Sequence, residues 1–331
     1  MRRRLLFAFV LGAGLWTSSA AAAQTLRIGL AEDPDSLDPT QGRTFVGRIV
    51  LASLCDKLFD ITPDLKIVPQ LATGYSWSAD DKQLTITLRP GVKFQDGEPF
   101  DAEAAKFSLD RHLSMPGSNR KGELAAVQNV AVVDPVTVRL DLSSPFAPLL
   151  AQLTDRAGMM VSPKAAKAEG DKLGLHPVCA GPFNFAERVP QDRIVLQRFA
   201  GYWDKRRIHF DKIIFQPIVD STVRLANLQS GGLDLIERVA PTDLRAIRVD
   251  RRLRIASIVA LGYQGITINL ANGPRAKTPL GEDSRVRQAF DLAIDRDVIT
   301  NVVYNGEFFP GNQWVPPNNP YYVQSLPIPR R

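Results

Sequence analysis

The stretch "VPQLATGYSWSADDKQLTITLRPGVKFQDGEPFDAEAAKFSLDR" (Val68–Arg111) carries the clearest structural signals in the chain. Alternating Leu84, Ile86 and Leu88 predict a strand that ends at a turn. Asp101 then stands in the position of an N-cap, and we expect a helix from there to Met115. A strand, a turn and a helix in this order indicate a mixed α/β protein.

Four carboxylates, Asp96, Glu98, Asp101 and Glu103, lie close together inside this stretch. They are compatible with a cation cage, a catalytic acid/base pair, or ordinary turn and cap residues. A calcium loop of the EF-hand type is excluded, because Gly follows the first Asp directly and a Pro interrupts the spacing. Asp96 begins a turn dipeptide, and Asp101 and Glu103 sit where a helix N-terminus favours negative charge. We interpret them as structural, while a carboxylate pair of the glycosidase kind stays open.

The N-terminus has the pattern of a secretory signal peptide. Three arginines precede an apolar run, Leu5–Trp16, and small residues follow up to Ala23. The run is shorter than the roughly 20 residues that span a bilayer. We therefore predict a signal peptide over residues 1–23, cleavage before Gln24, and a periplasmic location.

Composition and charge favour a globular protein without a nucleic-acid partner. The chain is 44% hydrophobic and 23% charged, with a net charge of +6 that includes the three signal arginines. The net charge that remains without these three arginines is small, and it is not the basic excess that binds phosphate backbones.

Catalytic and metal motifs are absent from the sequence. It has no G-x-S-x-G, H-E-x-x-H, P-loop or G-x-G-x-x-G pattern, and its three histidines are isolated. We therefore expect neither an enzyme nor a bound metal or cofactor. A binding protein is the class that remains.

Further periodic segments complete the mixed α/β pattern. We predict a first strand in "TLRIGL", a helix over Thr44–Asp60, two strands about the Asp134–Pro135 turn, and a strand in "YQGITINL" (263–270). Ser284 and Asp295 are expected to cap two later helices.

The Val68–Arg111 stretch closely resembles the signature of family 5 extracellular solute-binding proteins, the peptide-, dipeptide- and nickel-binding subunits of ABC importers. Further stretches match in order along essentially the whole mature chain: "LRIGLAEDPDSLDPT", "HPVCAGPFNF", "GYWD", "LQSGGLDL" and "SRVRQAFDLAIDRDVI".

This resemblance implies a two-lobe fold of the periplasmic binding protein type II kind, with mixed sheets. Residues 24–61 and 175–261 would form the main lobe, residues 62–174 an inserted subdomain, and residues 262–331 the start of the second lobe. Family members continue well beyond "YYVQSLPIPRR". We therefore expect a truncated chain with an incomplete second lobe, marginal stability and weak or absent ligand capture.

The resemblance also implies the function. A monomeric subunit would capture peptides or similar small solutes in an interlobe cleft and deliver them to ABC permease subunits. A nickel-chelate, haem or opine-type cargo is an alternative within the family. An exported hydrolase and a non-functional remnant are alternatives outside it.

Candidate ligand-binding residues follow from the same resemblance, and they are Glu32, Asp33, Arg156, Met159, Tyr263, Gln264, Asn269 and Trp314. Glu32 and Asp33 follow the first strand, and Arg156 matches a cleft arginine that would meet a ligand carboxylate. Met159 would give a soft apolar contact, and Trp314 would be a lid aromatic. Structural roles are equally compatible with Arg156, Met159 and Trp314.

Two cysteines, Cys55 and Cys179, lie far apart in the sequence. Cys55 falls on an apolar helical stripe, which indicates a buried small hydrophobe, while export makes a disulfide chemically possible. Compared with the family pattern G-T-G-P-Y, "CAGPF" has Cys179 in place of a Gly. Whether the two cysteines pair stays open at this point.

Overall fold

Short helices and strands alternate along the chain in the mixed α/β order that the sequence predicts. The structure is a computed structural model that describes residues 24–328, so the predicted signal peptide lies outside the described residues. The strands are β1 (Thr25–Leu30), β2 (Phe59–Ile61), β3 (Ile67–Pro69), β4 (Ala72–Trp77), β5 (Gln83–Leu88), β6 (Val127–Asp134), β7 (Thr137–Leu142), β8 (Phe183–Val189), β9 (Arg193–Arg198), β10 (Lys212–Pro217) and β11 (Leu235–Ile236). The helices are α1 (Phe45–Leu54), α2 (Ala102–Ser114), α3 (Leu149–Gln152), α4 (Pro163–Glu169), α5 (Ser221–Gln229), α6 (Leu244–Val249), α7 (Pro279–Glu282), α8 (Ser284–Ala293) and α9 (Arg296–Val302).

The described residues divide into two units. The first contains residues 24–219 and 231–235, and the second contains residues 220–230 and 236–328. No helix in residues 24–328 is both long enough and apolar enough to cross a membrane.

A five-stranded mixed sheet runs through the first unit in the order β11-β1-β10-β9-β8. Strand β1 pairs in parallel with β10, from Thr25 opposite Lys212 to Leu30 opposite Pro217. Strands β10, β9 and β8 pair antiparallel. The sheet contains both pairing senses, which confirms the predicted mixed α/β class.

A second sheet in this unit is antiparallel, in the order β4-β5-β7-β6. The predicted strand alternation in β5 is confirmed, because Leu84, Ile86 and Leu88 are all buried. Helix α2 begins at the predicted N-cap, where the Asp101 side chain accepts a hydrogen bond from the Ala104 backbone N–H at 2.9 Å. The helix packs on β6 and β7 and covers one face of the sheet.

Two hydrophobic clusters form the core of the first unit. One draws almost all its buried residues from positions 58–160, and the other draws them from positions 28–55 and 159–215. The predicted inserted subdomain overlaps the first cluster, and its boundaries stay a prediction.

Helix α1 ends earlier than the sequence predicts. Thr44 caps it as expected, accepting from the Gly47 N–H at 3.2 Å, but the helix stops at Leu54 rather than Asp60. Cys55 is extended, and the Leu58 N–H donates to the Gly158 carbonyl at 2.8 Å. Tertiary pairing of these residues overrides the helical periodicity, because a backbone N–H can serve only one partner well.

The second unit departs from prediction in one strand and one helix cap, and the two predicted helices are present. Residues 263–270 are not a strand, because no described strand supplies the ladder of hydrogen bonds that a strand needs. Helix α9 is capped by Asp295 as predicted, whereas α8 is capped by Asp283, one residue before the predicted Ser284. Among the described residues of this unit, the buried apolar side chains are Ile247 and Ala276.

Candidate ligand-binding site

The four carboxylates of the Phe94–Arg111 stretch take structural positions. Asp96 accepts from the Ser162 hydroxyl at 2.5 Å and from the Glu98 N–H at 3.2 Å, while Asp101 caps α2. Glu98 lies 3.6 Å from the Lys164 ammonium, and Glu103 lies in the first turn of α2. An open groove of about 360 Å³ borders Glu98, Asp101 and Glu103, and Lys106 and Lys167 share its lining. No group of acids, histidines and cysteines in residues 24–328 could hold a metal ion.

Asp33 holds a hairpin in place. Its carboxylate accepts from the Arg188 guanidinium at 3.1 Å and from the Gln191 N–H at 3.0 Å. Arg188 lies near the end of β8, and Gln191 lies in the turn between β8 and β9. Both carboxylate oxygens of Asp33 are therefore engaged within the protein. Glu32 lies beside it after β1 and is partly buried.

Arg156 lies in a one-turn 3-10 helix, Arg156–Gly158, that is folded tightly against the preceding turn. A Cβ on Gly158 would come within 1.9 Å of the Leu153 carbonyl oxygen, so only glycine fits this approach. The Arg156 side chain is 7% exposed, and its Nη1 donates to the Thr44 carbonyl at 3.2 Å. The arginine is thereby held at the N-terminal end of α1.

Two charged neighbours lie beside Arg156. Arg48, on α1, makes a two-point ion pair with Asp155, with N–O distances of 2.9 and 2.6 Å. Asp155 also lies 4.0 Å from the Arg156 Nε, which is an ionic contact but too long for a hydrogen bond. The Asp155 carboxylate therefore lies beside two guanidinium groups, and it accepts hydrogen bonds from Arg48.

Arg120 and Glu123 complete this group, which we call the arginine cluster: Arg48, Arg120, Glu123, Asp155 and Arg156. Arg120 is 3% exposed, pairs with Glu123, and donates from Nη2 to the Gly42 carbonyl at 3.1 Å. Within the described part of the chain, the Nε atoms of Arg120 and Arg156 and the Oε2 of Glu123 are buried without a hydrogen-bond partner.

The electrostatics of the arginine cluster favour an added negative charge. Burial lowers the pKa of Arg156, Asp155 opposes that shift, and Arg120 and Arg48 add to it. Burial also raises the pKa of Glu123 against the attraction of Arg120. Three guanidinium groups thus share two carboxylates, and two of the three, those of Arg120 and Arg156, are buried, so a further anion beside them would be stabilised.

Met159 packs in the core. Its side chain is 1% exposed within the second hydrophobic cluster, and its carbonyl accepts from the His112 Nε2 at 3.1 Å. The thioether is thus in contact with apolar side chains of the first unit.

The remaining predicted contacts lie in the second unit and are exposed. Trp314 is 83% exposed and Tyr263 is 55% exposed, and their rings meet edge to face with centroids 6.0 Å apart. Gln264 is exposed, and Asn269 exchanges two hydrogen bonds with the Asn272 backbone. The structure brings Tyr263 and Trp314 together, while Arg156 and Met159 belong to the first unit.

The two cysteines are joined in a disulfide. Cys55 and Cys179 have Cα atoms 4.8 Å apart, and the side chains are 1% and 0% exposed. The bond links the end of α1 to the "CAGPF" segment.

Sequence reasoning missed Arg120, Glu123 and Asp56. Asp56 is 2% exposed and accepts from the Trp203 Nε1 at 2.7 Å and the Tyr202 hydroxyl at 3.0 Å. The "GYWD" segment was the available signal, because a Tyr–Trp pair with two polar hydrogens needs a buried acceptor. Arg120 had no such signal, since it stands in an irregular polar turn.

Comparison with known proteins shows a family and several similar proteins. Residues 66–330 match the model of bacterial extracellular solute-binding proteins, family 5 Middle. A glutathione-binding protein GsiB of Salmonella paratyphi A is 32% identical over 323 residues, which are 96% of this chain and 62% of the relative. The GsiB of Pectobacterium atrosepticum is 29% identical over 330 residues, 99% of this chain and 63% of the relative. The chain thus spans a little under two thirds of the length of these relatives.

Solved structures share the fold. AgaA of A. tumefaciens R10, in complex with agropinic acid, matches with a TM-score of 0.74 and 29% identity. The match covers 85% of this chain and 56% of the AgaA chain. The periplasmic binding protein DppA of Helicobacter pylori, in complex with the peptide STSA, has a TM-score of 0.81 and 22% identity, covering 92% and 63%. These neighbours confirm the predicted periplasmic-binding-protein fold.

Proposed function

Because this chain belongs to the bacterial extracellular solute-binding proteins of family 5, we propose that it is the periplasmic binding subunit of an ABC importer. It captures a short peptide or a similar small solute that carries a carboxylate, and delivers this solute to the permease. The chain spans 62% of the length of this relative. We therefore make the proposal for a protein that contains the arginine cluster.

The buried, incompletely paired guanidinium groups of Arg120 and Arg156 carry this proposal. Each has an Nε without a hydrogen-bond partner in the part of the chain that the structure describes, and each donates to a backbone carbonyl at another nitrogen. A buried donor without a partner costs about 1–3 kcal/mol. A ligand carboxylate placed here would recover part of that cost and accept charge-assisted hydrogen bonds.

Rigid positioning supports a binding role for Arg156. The Gly158 turn, the bond to the Thr44 carbonyl and the flanking Asp155–Arg48 pair fix the guanidinium before ligand arrives. Preorganised groups lose less freedom on binding, which favours affinity.

The names of the relatives suggest the class of cargo. Relatives named for glutathione binding make a tripeptide-like acid the first candidate. An opine-type acid is the second, because the structure with agropinic acid is 29% identical over most of this chain. Both carry the carboxylate that the arginine cluster would bind.

The other predicted ligand contacts fall into two groups, exposed residues of the second unit and residues held within the first unit. Tyr263 and Trp314 offer an exposed aromatic pair in the second unit, and Gln264 and Asn269 add amides. Asp33 and Met159 serve the fold, since Asp33 is engaged by Arg188 and Met159 is in the core, while Glu32 is kept as a wall residue.

A thermal-shift screen tests this function. The probes are glutathione, di- and tripeptides with free or amidated C-termini, an agropinic-acid-type opine, and a nickel–histidine chelate. Binding raises the melting temperature by an amount set by RT ln(1 + [L]/Kd). We expect free acids to stabilise the protein and amidated peptides to do so much less.

Two outcomes contradict the proposal. One is stabilisation that is equal for acids and amides, which would remove the role of the arginine cluster. The other is cleavage of a peptide probe by wild type that the Asp96→Asn variant no longer carries out, which would favour an exported hydrolase.

A further inference from the structure

Gln95 bridges the two segments that carry the cysteines. Its Nε2 donates to the Leu54 carbonyl at 2.7 Å and to the Phe183 carbonyl at 2.8 Å. Its Oε1 accepts from the Cys179 N–H at 2.8 Å, and its own N–H donates to the Cys179 carbonyl at 2.9 Å. One residue therefore contacts Cys179 directly and also the residue before Cys55.

A glycine allows these segments to come this close. The Gly181 N–H donates to the Leu54 carbonyl at 3.0 Å, and a Cβ on Gly181 would lie 2.4 Å from the same oxygen. Any side chain here would push the "CAGPF" segment away from the end of α1. Gln95 and Gly181 thus both donate hydrogen bonds to the Leu54 carbonyl oxygen.

None of these hydrogen bonds involves sulfur. They join backbone groups and one amide, so they are available to the folded protein whether the cysteines are thiols or a disulfide. The Cys179 segment is further held by an isolated backbone bridge to Val161 and by the bond from the Ser162 N–H to the Val178 carbonyl. The framework around the cysteines is therefore complete without the S–S bond.

We propose that Gln95 is a positioning residue for disulfide formation, holding Cys55 and Cys179 side by side while both are still thiols. Its amide donates to Leu54 and accepts from Cys179, so it fixes the separation of the two backbones. The high local concentration of one thiol near the other then drives closure of the bond.

The covalent step is a thiol–disulfide exchange with a small external disulfide, such as oxidised glutathione. The thiolate of one cysteine attacks the external disulfide, forms a mixed disulfide and releases one small thiolate. The second cysteine thiolate attacks the protein sulfur of that mixed disulfide, forms the Cys55–Cys179 bond and releases the second small thiolate. The two released thiolates take up the protons that the two cysteine thiols lost. Two protein thiols are oxidised, and one external disulfide is reduced to two thiols. Gln95 acts on the second, intramolecular attack.

The test is the equilibrium of the cysteine pair in glutathione redox buffers, approached from the reduced and the oxidised protein. In Gln95→Met the side chain keeps its length but loses the amide. We expect the equilibrium constant for the disulfide to fall about tenfold, which corresponds to about 30 mV for this two-electron couple. Gln95→Glu keeps the acceptor for the Cys179 N–H but removes both donors, and it should shift the equilibrium in the same direction.

Two controls separate positioning from general stability. Ile86→Val destabilises the core away from the cysteines, and Gln128→Met removes an exposed amide from β6. Both should leave the equilibrium constant within threefold of wild type. An unchanged constant in both Gln95 variants would overturn the proposal, and so would an equal shift in Ile86→Val.

Discussion

Asp56 is a buried carboxylate that accepts hydrogen bonds from three neutral side chains. Trp203, Tyr202 and Gln70 donate to it at 2.7, 3.0 and 3.1 Å. Burial raises its pKa from 3.8 to about 6, against the opposing effects of the Trp203 and Tyr202 hydrogen bonds and of the Lys57 charge. Burial and the same carboxylate raise the pKa of Tyr202, which keeps its hydroxyl protonated as a donor.

This pKa makes unfolding free energy depend on pH. Between about pH 4 and pH 6 the folded protein holds a proton on Asp56 that the unfolded chain has released, so the contribution of Asp56 falls as pH rises through this window. The loss is at most about 3 kcal/mol at about 1.4 kcal/mol per pKa unit. The buried His112, whose pKa is lowered to about 4, gives the opposite slope, so wild type alone is not informative.

The difference between wild type and Asp56→Asn isolates the effect. Urea unfolding followed by tryptophan fluorescence at pH 4.5 and pH 7 should show wild type losing stability relative to Asp56→Asn as pH rises. Asp110→Asn is the matched control, since Asp110 is about half exposed and pairs with Lys106. A wild-type-to-variant difference that is equal at the two pH values would contradict the assignment.

The turn between α3 and the 3-10 helix sets the position of Arg156. Its geometry depends on Gly158, where an added methyl group would overlap the Leu153 carbonyl. We expect Gly158→Ala to destabilise the first unit by about 1–3 kcal/mol, because the backbone must shift. It should also weaken binding of a carboxylate ligand, because Arg156 moves with the turn.

Gly122→Ala is the matched control for this substitution. A Cβ on Gly122 meets nothing within 4 Å, so stability and binding should stay near wild type. Melting temperature and ligand affinity, measured on both variants, check the prediction. Equal effects in the two variants would show that the Gly158 turn does not set the position of Arg156.

Elements with strong local signals were predictable, and those decided by distant contacts were not. The alternation in β5 and the Asp101 cap of α2 require only neighbouring residues, and both are confirmed. The early end of α1 depends on backbone pairing with Gly158 and on the approach of Gln95 and Gly181 to the Leu54 carbonyl, which no local pattern reveals. The strand predicted at 263–270 has the right alternation but no described pairing partner.

The candidate site was predictable only in part for the same reason. Resemblance to the family pointed to Arg156, but the buried Arg120 and its partner Glu123 come from a different part of the chain and have no periodic or motif signal. Of the four acids in the opening stretch, Asp96 accepts a local turn hydrogen bond and Asp101 caps α2, as their neighbouring residues predict.

The two units differ in how much apolar surface they bury. The first has two extended hydrophobic clusters, whereas the described residues of the second bury only Ile247 and Ala276 among apolar side chains. Burial of apolar surface is the main favourable term in folding, at about 25 cal/mol per Å². The second unit should therefore open at a much lower free energy than the first.

Hydrogen–deuterium exchange of the 331-residue chain checks this difference. Amides of α8 and α9 should exchange within seconds to minutes, while those of β5, β7 and α2 should be protected for hours. The β1–β10 pair serves as an internal reference within the first unit. Protection in α8 and α9 that equals that of β5 would contradict the expected difference.

Calorimetric titration of the tightest free-acid ligand from the screen tests the role of the arginine cluster most directly. The comparison is between wild type, Arg156→Met, and Arg139→Met, which removes a partly exposed arginine of β7. We predict that Arg156→Met weakens binding of the free acid about 10- to 100-fold and leaves the amidated ligand unchanged, as expected for loss of a charge-assisted hydrogen bond. Arg139→Met should bind as wild type does. Equal affinity of wild type and Arg156→Met for the free acid would contradict a carboxylate-binding role for the arginine cluster.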